Sequence, residues 1–196
     1  MVRKENIESE NLLMEPESHR PLTVEGFVYE RPLDERSELV AGQVVMEPPP
    51  GIEHGSIAAT LAYHLRSYAE QHRCGRVLGE AGYILERDPD TVRGPDVSFV
   101  TTERWRVTLD KSGYLEGAPD LAVEIASPGD THRLLAAKAR SYLRTGASLV
   151  WVVWPKRKSI EVFRQTAPPQ VLGIHDTLEG GELLPGFRLA VAAVFD

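Results

Sequence analysis

One lysine, Lys138, stands where the surrounding pattern favours an apolar residue, and carboxylates on two strands could meet it. In APDLAVEIASPGDTHRLLAAKARSYLRT, residues 118–145, Leu121, Val123 and Ile125 alternate with Asp120, Ala122 and Glu124. A strand there has one apolar face and one face carrying two carboxylates. Ser127-Pro128-Gly129-Asp130 breaks the strand, and a helix follows with Ser127, Asp130 or Thr131 as candidate N-cap. Leu134, Leu135, Lys138, Ser141 and Tyr142 recur at helical spacing on one stripe. A lysine on such a stripe must snorkel to water or meet a carboxylate, and Glu124 on the preceding strand is the one at hand. Asp96, in RGPDVSFV, puts a further carboxylate at the start of another strand, facing away from Val97 and Phe99. Carboxylates of this kind suit a hard divalent cation such as Mg2+. A bound cation lowers the pKa of its water and stabilises charge on a phosphate under attack, while a nearby lysine orients the water or steadies that charge. Taken singly, Glu124 reads as an exposed strand residue and Lys138 as a solvated helix residue. The conjunction of strand, sharp turn and inward-facing lysine is what points to a site.

The elements that must position these groups follow from the rest of the chain. Residues 1–22 read as a flexible arm, and residues 23–196 as a single domain. Glu38–Glu47, ELVAGQVVME, reads as a hairpin turning at Ala41-Gly42. A helix is expected over Ser56–His72, capped by Ser56, with Ile57, Leu61, Leu65 and Tyr68 near one face. One strand is expected over Arg76–Leu85, carrying Glu80, and another from Pro95 to Val100. Residues 101–117 read as a polar connection with a short helix. Gly146 stops the central helix. LVWVVW, residues 149–154, reads as a strand buried on both faces. Pro155–Lys158 is a turn, Ser159–Arg164 a returning strand, Val171–Leu178 a further strand and Val191–Phe195 a short packed tail. The layout is α/β or α+β: a mixed β-sheet flanked by helices, with extra N-terminal β-hairpin strands. The unit 118–154 is expected to be a parallel crossover.

Composition limits the function classes. The chain has 196 residues, is 42% hydrophobic and 26% charged, and carries a net charge of −7. That suits a globular protein and argues against a passive DNA-coating role. It leaves room for an enzyme whose metal-binding carboxylates add negative charge. Lys156, Arg157 and Lys158 read as solvated charge in a turn. The single cysteine, Cys74, permits neither an internal disulfide nor a cysteine-based zinc site. His64 and His72 have no partner at zinc-site spacing and read as structural. Asp120 lies about 13 Å from Glu124 along an extended strand, too far to share its ion, and is expected to pair locally. The first 20 residues lack a signal-peptide core and no run is long enough to span a membrane, so a cytoplasmic location and no membrane association are expected.

The segments ELVAGQVVMEPPPGIEHGSIAATLAYHL, RGPDVSFV and APDLAVEIASPGDTHRLLAAKARSYLRTGASLVWVVWPKRKSIEVFR cover most of residues 35–165. Together they resemble the putative restriction endonuclease family, formerly a domain of unknown function, within the PD-(D/E)XK nuclease superfamily. The resemblance implies a restriction-endonuclease-like fold and Mg2+-dependent (or Mn2+-dependent) cleavage of DNA. It implies metal ligation by Asp96, Glu124 and the backbone carbonyl of Ile125, with Lys138 as the catalytic lysine. The chain departs from the usual superfamily motif at Ala126, where that lysine would stand, so the lysine is expected from the following helix. Glu80 and His54 are possible accessory members. A homodimer is expected, the arm and the apolar tail serving the contact. The alternatives are a catalytically weak or inactive nuclease fold used for binding or assembly, and a hydrolase of small phosphoesters using His54.

Overall fold

The computed structural model describes residues 21–30, 36–108 and 113–196. The arm expected over residues 1–22 lies almost wholly outside the described residues. In chain order the elements are α1 (Val24–Glu30), β1 (Ser37–Val40), β2 (Gln43–Met46), α2 (Ile52–His72), β3 (Gly75–Gly79), β4 (Tyr83–Glu86), β5 (Thr91–Arg93), β6 (Val97–Thr101), α3 (Thr102–Val107) and β7 (Leu115–Glu116). Then come β8 (Leu121–Ile125), α4 (His132–Arg144), β9 (Leu149–Trp154), β10 (Ser159–Arg164), β11 (Gln170–Leu172), β12 (Thr177–Gly180) and β13 (Leu184–Ala190). A 3-10 turn at Pro155–Arg157 joins β9 to β10, and another at Val191–Val194 follows β13.

The strands form a six-stranded sheet in the order β11-β10-β9-β8-β6-β3, a five-stranded sheet in the order β2-β1-β5-β4-β7, and the β12–β13 pair. In the larger sheet β8 and β9 are parallel, Glu124 opposite Val152, and the other pairings are antiparallel. The expected α+β layout of sheet and flanking helices is present, with the β1–β2 hairpin forming one edge of the second, five-stranded sheet.

Both faces of the larger sheet are covered. On one, Leu121, Val123, Ile125, Trp151 and Val153 pack with Ile57, Leu61 and Leu65 of α2 and with Leu178, Leu184 and Phe187 near the C-terminus. On the other, Ala122, Val150 and Val152 pack with Leu135, Ala136, Ala139 and Tyr142 of α4, and with Tyr83 and Leu85 of the smaller sheet. Glu124 follows Ala122 onto this second face and is therefore buried, not exposed as it reads alone. Leu134 was expected on the inward stripe of α4 but is 54% exposed; the buried stripe is Leu135, Ala136, Ala139, Ser141 and Tyr142.

Other boundaries differ for local reasons. α2 begins four residues before Ser56, with Gly51 at the N-cap and no side-chain cap. The strand expected over 76–85 is two strands in different sheets, because Glu80 takes φ +49° and ends the first. The strand expected over 171–178 is likewise two, broken at Gly173–Asp176, where Asp176 Oδ2 accepts from Gly173 N at 2.7 Å. Thr131 is the N-cap of α4 and accepts from Leu134 N. Val191 and Val194 of the tail are buried in the chain's own core, so these side chains do not form a dimer contact as expected. No described helix is long and apolar enough to cross a membrane.

Gly75 opens β3 directly against β6. A Cβ there would stand 2.4 Å from the Phe99 ring and from the Val100 carbonyl oxygen. Overpacking against backbone typically costs about 1–3 kcal/mol. Gly75→Ala is therefore expected to lower the unfolding free energy by about 1–3 kcal/mol, read as a lower urea midpoint, and an unchanged midpoint would contradict the packing described.

Candidate active site

Lys138 lies one helical turn before Tyr142 on α4, facing the larger sheet. Its Nζ is 3.0 Å from Glu124 Oε2, 3.0 Å from Glu38 Oε1 and 3.6 Å from Glu47 Oε1. The Tyr142 hydroxyl donates to Glu124 Oε1 at 2.7 Å, so β8 and two successive turns of α4 define the Glu124 carboxylate. Glu38 is equally constrained: its Oε2 accepts from Arg93 Nη1 at 2.6 Å and its Oε1 from Gly94 N at 3.0 Å. A buried lysine demands such partners, since a lone ammonium in this position would be lost to desolvation.

Asp96 sits just before β6, beside the end of β8. Its Oδ2 accepts from Ile125 N at 2.7 Å and lies 3.3 Å from His54 Nε2 on α2. Its Oδ1 is 3.8 Å from Arg36, whose Nη2 also reaches Glu80 at 3.2 Å and Glu47 at 4.0 Å. The structure thus brings Asp96, Glu124, Lys138, His54 and Glu80 into one charged cluster. Ile125 joins it through its amide, which Asp96 engages. Asp120 stays out, accepting from Thr101 N at 2.8 Å as local pairing predicts.

Sequence reasoning missed Glu38, Glu47, Arg36, Arg93 and Tyr142. An acid at either end of ELVAGQVVME was the available signal: the hairpin closes with Glu47 N donating to Arg36 O at 2.9 Å, placing Arg36, Glu38 and Glu47 at its base. Nothing in the spacing shows that this base lies over α4.

The electrostatics follow from burial and from an excess of acids. Burial pushes the Glu124 carboxyl up to about 8; Lys138 opposes this, while Asp96 and Glu38 push the same way. Burial also raises Glu47, again against Lys138 and helped by Glu38. Burial would raise Glu38 too, but Lys138 and Arg93 outweigh it and hold its carboxyl below the usual range. Lys138 stays charged: desolvation is overcome by Glu124, Glu38 and Glu47. The hydrogen bond to Asp96 raises His54 against the pull of burial.

No group of three or more His, Cys, Asp or Glu side chains among the described residues stands ready to hold a metal ion. The donor chemistry nevertheless fits a hard cation. Mg2+ needs only one or two carboxylates plus water, each carboxylate has lone pairs to spare, and mutual repulsion among Asp96, Glu38, Glu47 and Glu124 is what a divalent charge would relieve.

These shifts set a pH dependence for the metal-free protein. Glu124 folded binds a proton more tightly than the ordinary value of 4.5, up to about 8. Its contribution to stability is complete below about 4.5 and is lost as pH rises through 8. Glu47 and His54 are raised as well, so their contributions are lost in the same direction. The melting temperature in a chelating buffer is expected to fall between about pH 5 and pH 8, and Glu124→Gln should flatten that slope. A melting temperature that climbs over this range would contradict the charge balance.

Comparison with known proteins bears on the fold and the family. A solved structure titled as a putative nuclease belonging to DUF820, from Anabaena variabilis, matches with a TM-score of 0.77 and 20% identity, over 89% of this chain and 98% of that one. At that identity the likeness establishes the fold. No curated protein matches. The family model described as Uma2, putative restriction endonuclease, matches residues 24–192, which include every residue of the cluster. On that match, the chain belongs to the Uma2 putative restriction endonuclease family.

Proposed function

We propose that the protein is a Mg2+-dependent endonuclease hydrolysing DNA phosphodiester bonds, with Mn2+ as a possible substitute. The observation that carries the reading is Lys138 Nζ at 3.0 Å from Glu124, with Asp96 bonded to the amide of the next residue of β8, Ile125. Asp96, Glu124 and the Ile125 carbonyl would hold the cation, which when bound would acidify water and neutralise charge on the scissile phosphate. Tyr142 fixes one oxygen of Glu124 and leaves the orientation of its carboxylate little freedom. Glu38 and Glu47 hold Lys138 charged and in place. A charged lysine cannot take a proton, so its role is to orient the attacking water and stabilise the growing negative charge on phosphorus oxygens. His54, bonded to Asp96, is a positioning residue for that carboxylate. The working context for this reading is a cytoplasmic homodimer.

Nicking of supercoiled plasmid in Mg2+ or Mn2+ tests the proposal. Lys138→Ala is expected to reduce the rate by about 10²–10³, the usual loss on removing one preorganised charge-stabilising donor. Absence of cleavage on any nucleic acid with either metal would count decisively against it.

One observation favours a second reading, a catalytically weak or inactive binding module: Lys138 is shared among three carboxylates. Calorimetric titration separates the two. The nuclease reading expects Mg2+ or Mn2+ uptake that is lost in Asp96→Asn and Glu124→Gln; the binding-module reading expects none.

A further inference from the structure

The cations of the charged cluster are not held alike. Lys138 and Arg93 lie on its inner side, with side chains 11% and 19% exposed, and stand 3.0 Å and 2.6 Å from Glu38. Arg36 lies on the outer side, 27% exposed, and a single nitrogen, Nη2, faces three carboxylates: Glu80 at 3.2 Å, Asp96 at 3.8 Å and Glu47 at 4.0 Å. The three acids come from different parts of the chain: Glu80 follows β3, Asp96 precedes β6 and Glu47 follows β2. The two longer distances exceed hydrogen-bond length, so the surrounding negative charge holds Arg36 there more than directed bonds do. Glu80 is exposed and Glu47 partly so, which leaves the guanidinium a way out.

Asp96 is the acid that Arg36 shares with the proposed metal site. Its Oδ2 is committed to the Ile125 amide and to His54, and Oδ1, the oxygen left for a further cation, is the one that faces Arg36. Mg2+ takes a carboxylate oxygen at about 2.0–2.1 Å. A guanidinium nitrogen 3.8 Å from the same oxygen would stand beside that double charge, and like charges so close repel even in water. Asp96 Oδ1 cannot serve both at full strength.

We propose that Arg36 is the exchangeable cation of this site: it balances Asp96, Glu80 and Glu47 in the metal-free protein and yields Asp96 Oδ1 to a divalent cation. Metal binding then competes with an ion pair built into the chain. The empty site is spared uncompensated acids, and its occupancy is set by how well a divalent ion outbids the guanidinium. Arginine stays charged throughout, so the exchange is one of position and not of protonation. The inference rests on the metal-binding part of the nuclease reading, but it assigns a residue that takes no part in bond cleavage and is tested without cleavage.

The test is calorimetric titration of the full chain, first freed of metal by chelation, with Mn2+ and with Mg2+ at constant ionic strength. Arg36→Gln removes the competitor. Arg87→Gln removes the same charge from a surface pairing with Glu25 and Glu116 and controls for net charge. Arg36→Gln is expected to bind either metal about tenfold more tightly, as for relief of one nearby like charge, while Arg87→Gln and Arg36→Lys bind as the parent does. The rise in melting temperature on adding Mn2+ should be larger for Arg36→Gln than for the parent. In the parent, where no variant has to fold, Mg2+ should speed phenylglyoxal modification of Arg36, read by peptide mass mapping, and leave Arg87 unchanged. A purely structural Arg36 predicts the opposite: weaker metal binding in Arg36→Gln and modification indifferent to Mg2+. Equal or weaker affinity in Arg36→Gln, equal tightening in Arg87→Gln, an Arg36 whose modification ignores Mg2+, or no metal uptake by parent or variant would each overturn the proposal. Tighter binding in Arg36→Gln without nicking of DNA by any form would sustain the exchange and defeat the nuclease reading. Nicking with a metal affinity indifferent to Arg36 would do the reverse.

Discussion

The structure depends on one buried cation. The Lys138 ammonium is removed from water on a helix face that packs against a sheet, and it is tolerable only because Glu124 and Glu38 each stand 3.0 Å away. Those two carboxylates come from different sheets: Glu124 from β8 at the centre of the larger one, Glu38 from the hairpin strand β1 of the smaller. The ion pair therefore stitches the two sheets together through α4.

The remaining members settle around that centre. Glu38 is itself over-determined by Arg93 and the Gly94 amide, and Glu124 by Tyr142. Asp96 is anchored by the Ile125 amide at the edge of the same strand. A constellation held by so many directed bonds costs no reorganisation when charge develops within it, which is the property electrostatic catalysis requires. It is also a constellation with more acid than base, and burial, helped by the neighbouring acids, raises the carboxyls of Glu124 and Glu47.

The β8–α4–β9 unit brings this about with few residues. β8 alternates so that Leu121, Val123 and Ile125 face α2 while Ala122 and Glu124 face α4. The small side chain of Ala122 lets α4 approach, and Ala136 and Ala139 do the same from the helix. Two turns of helix then suffice to bring Lys138 and Tyr142 onto one carboxylate.

What the sequence determined by itself was local and periodic. The strand alternation around Glu124, the uninterrupted apolar run of β9, the ELVAGQVVME hairpin and the inward lysine are each written within a dozen residues, because side-chain direction follows from backbone period alone. From these Asp96, Glu124 and Lys138 could be named. What only tertiary structure decided was which partners arrive from a distance. Glu38 and Glu47 are about 90–100 residues from Lys138, and no pattern within the hairpin tells that its base is pressed onto α4. The break at Glu80 was hidden for the same kind of reason. Its alternation continues through 76–85, but the two halves pair with different neighbours, and pairing is a property of the assembled sheets rather than of the strand.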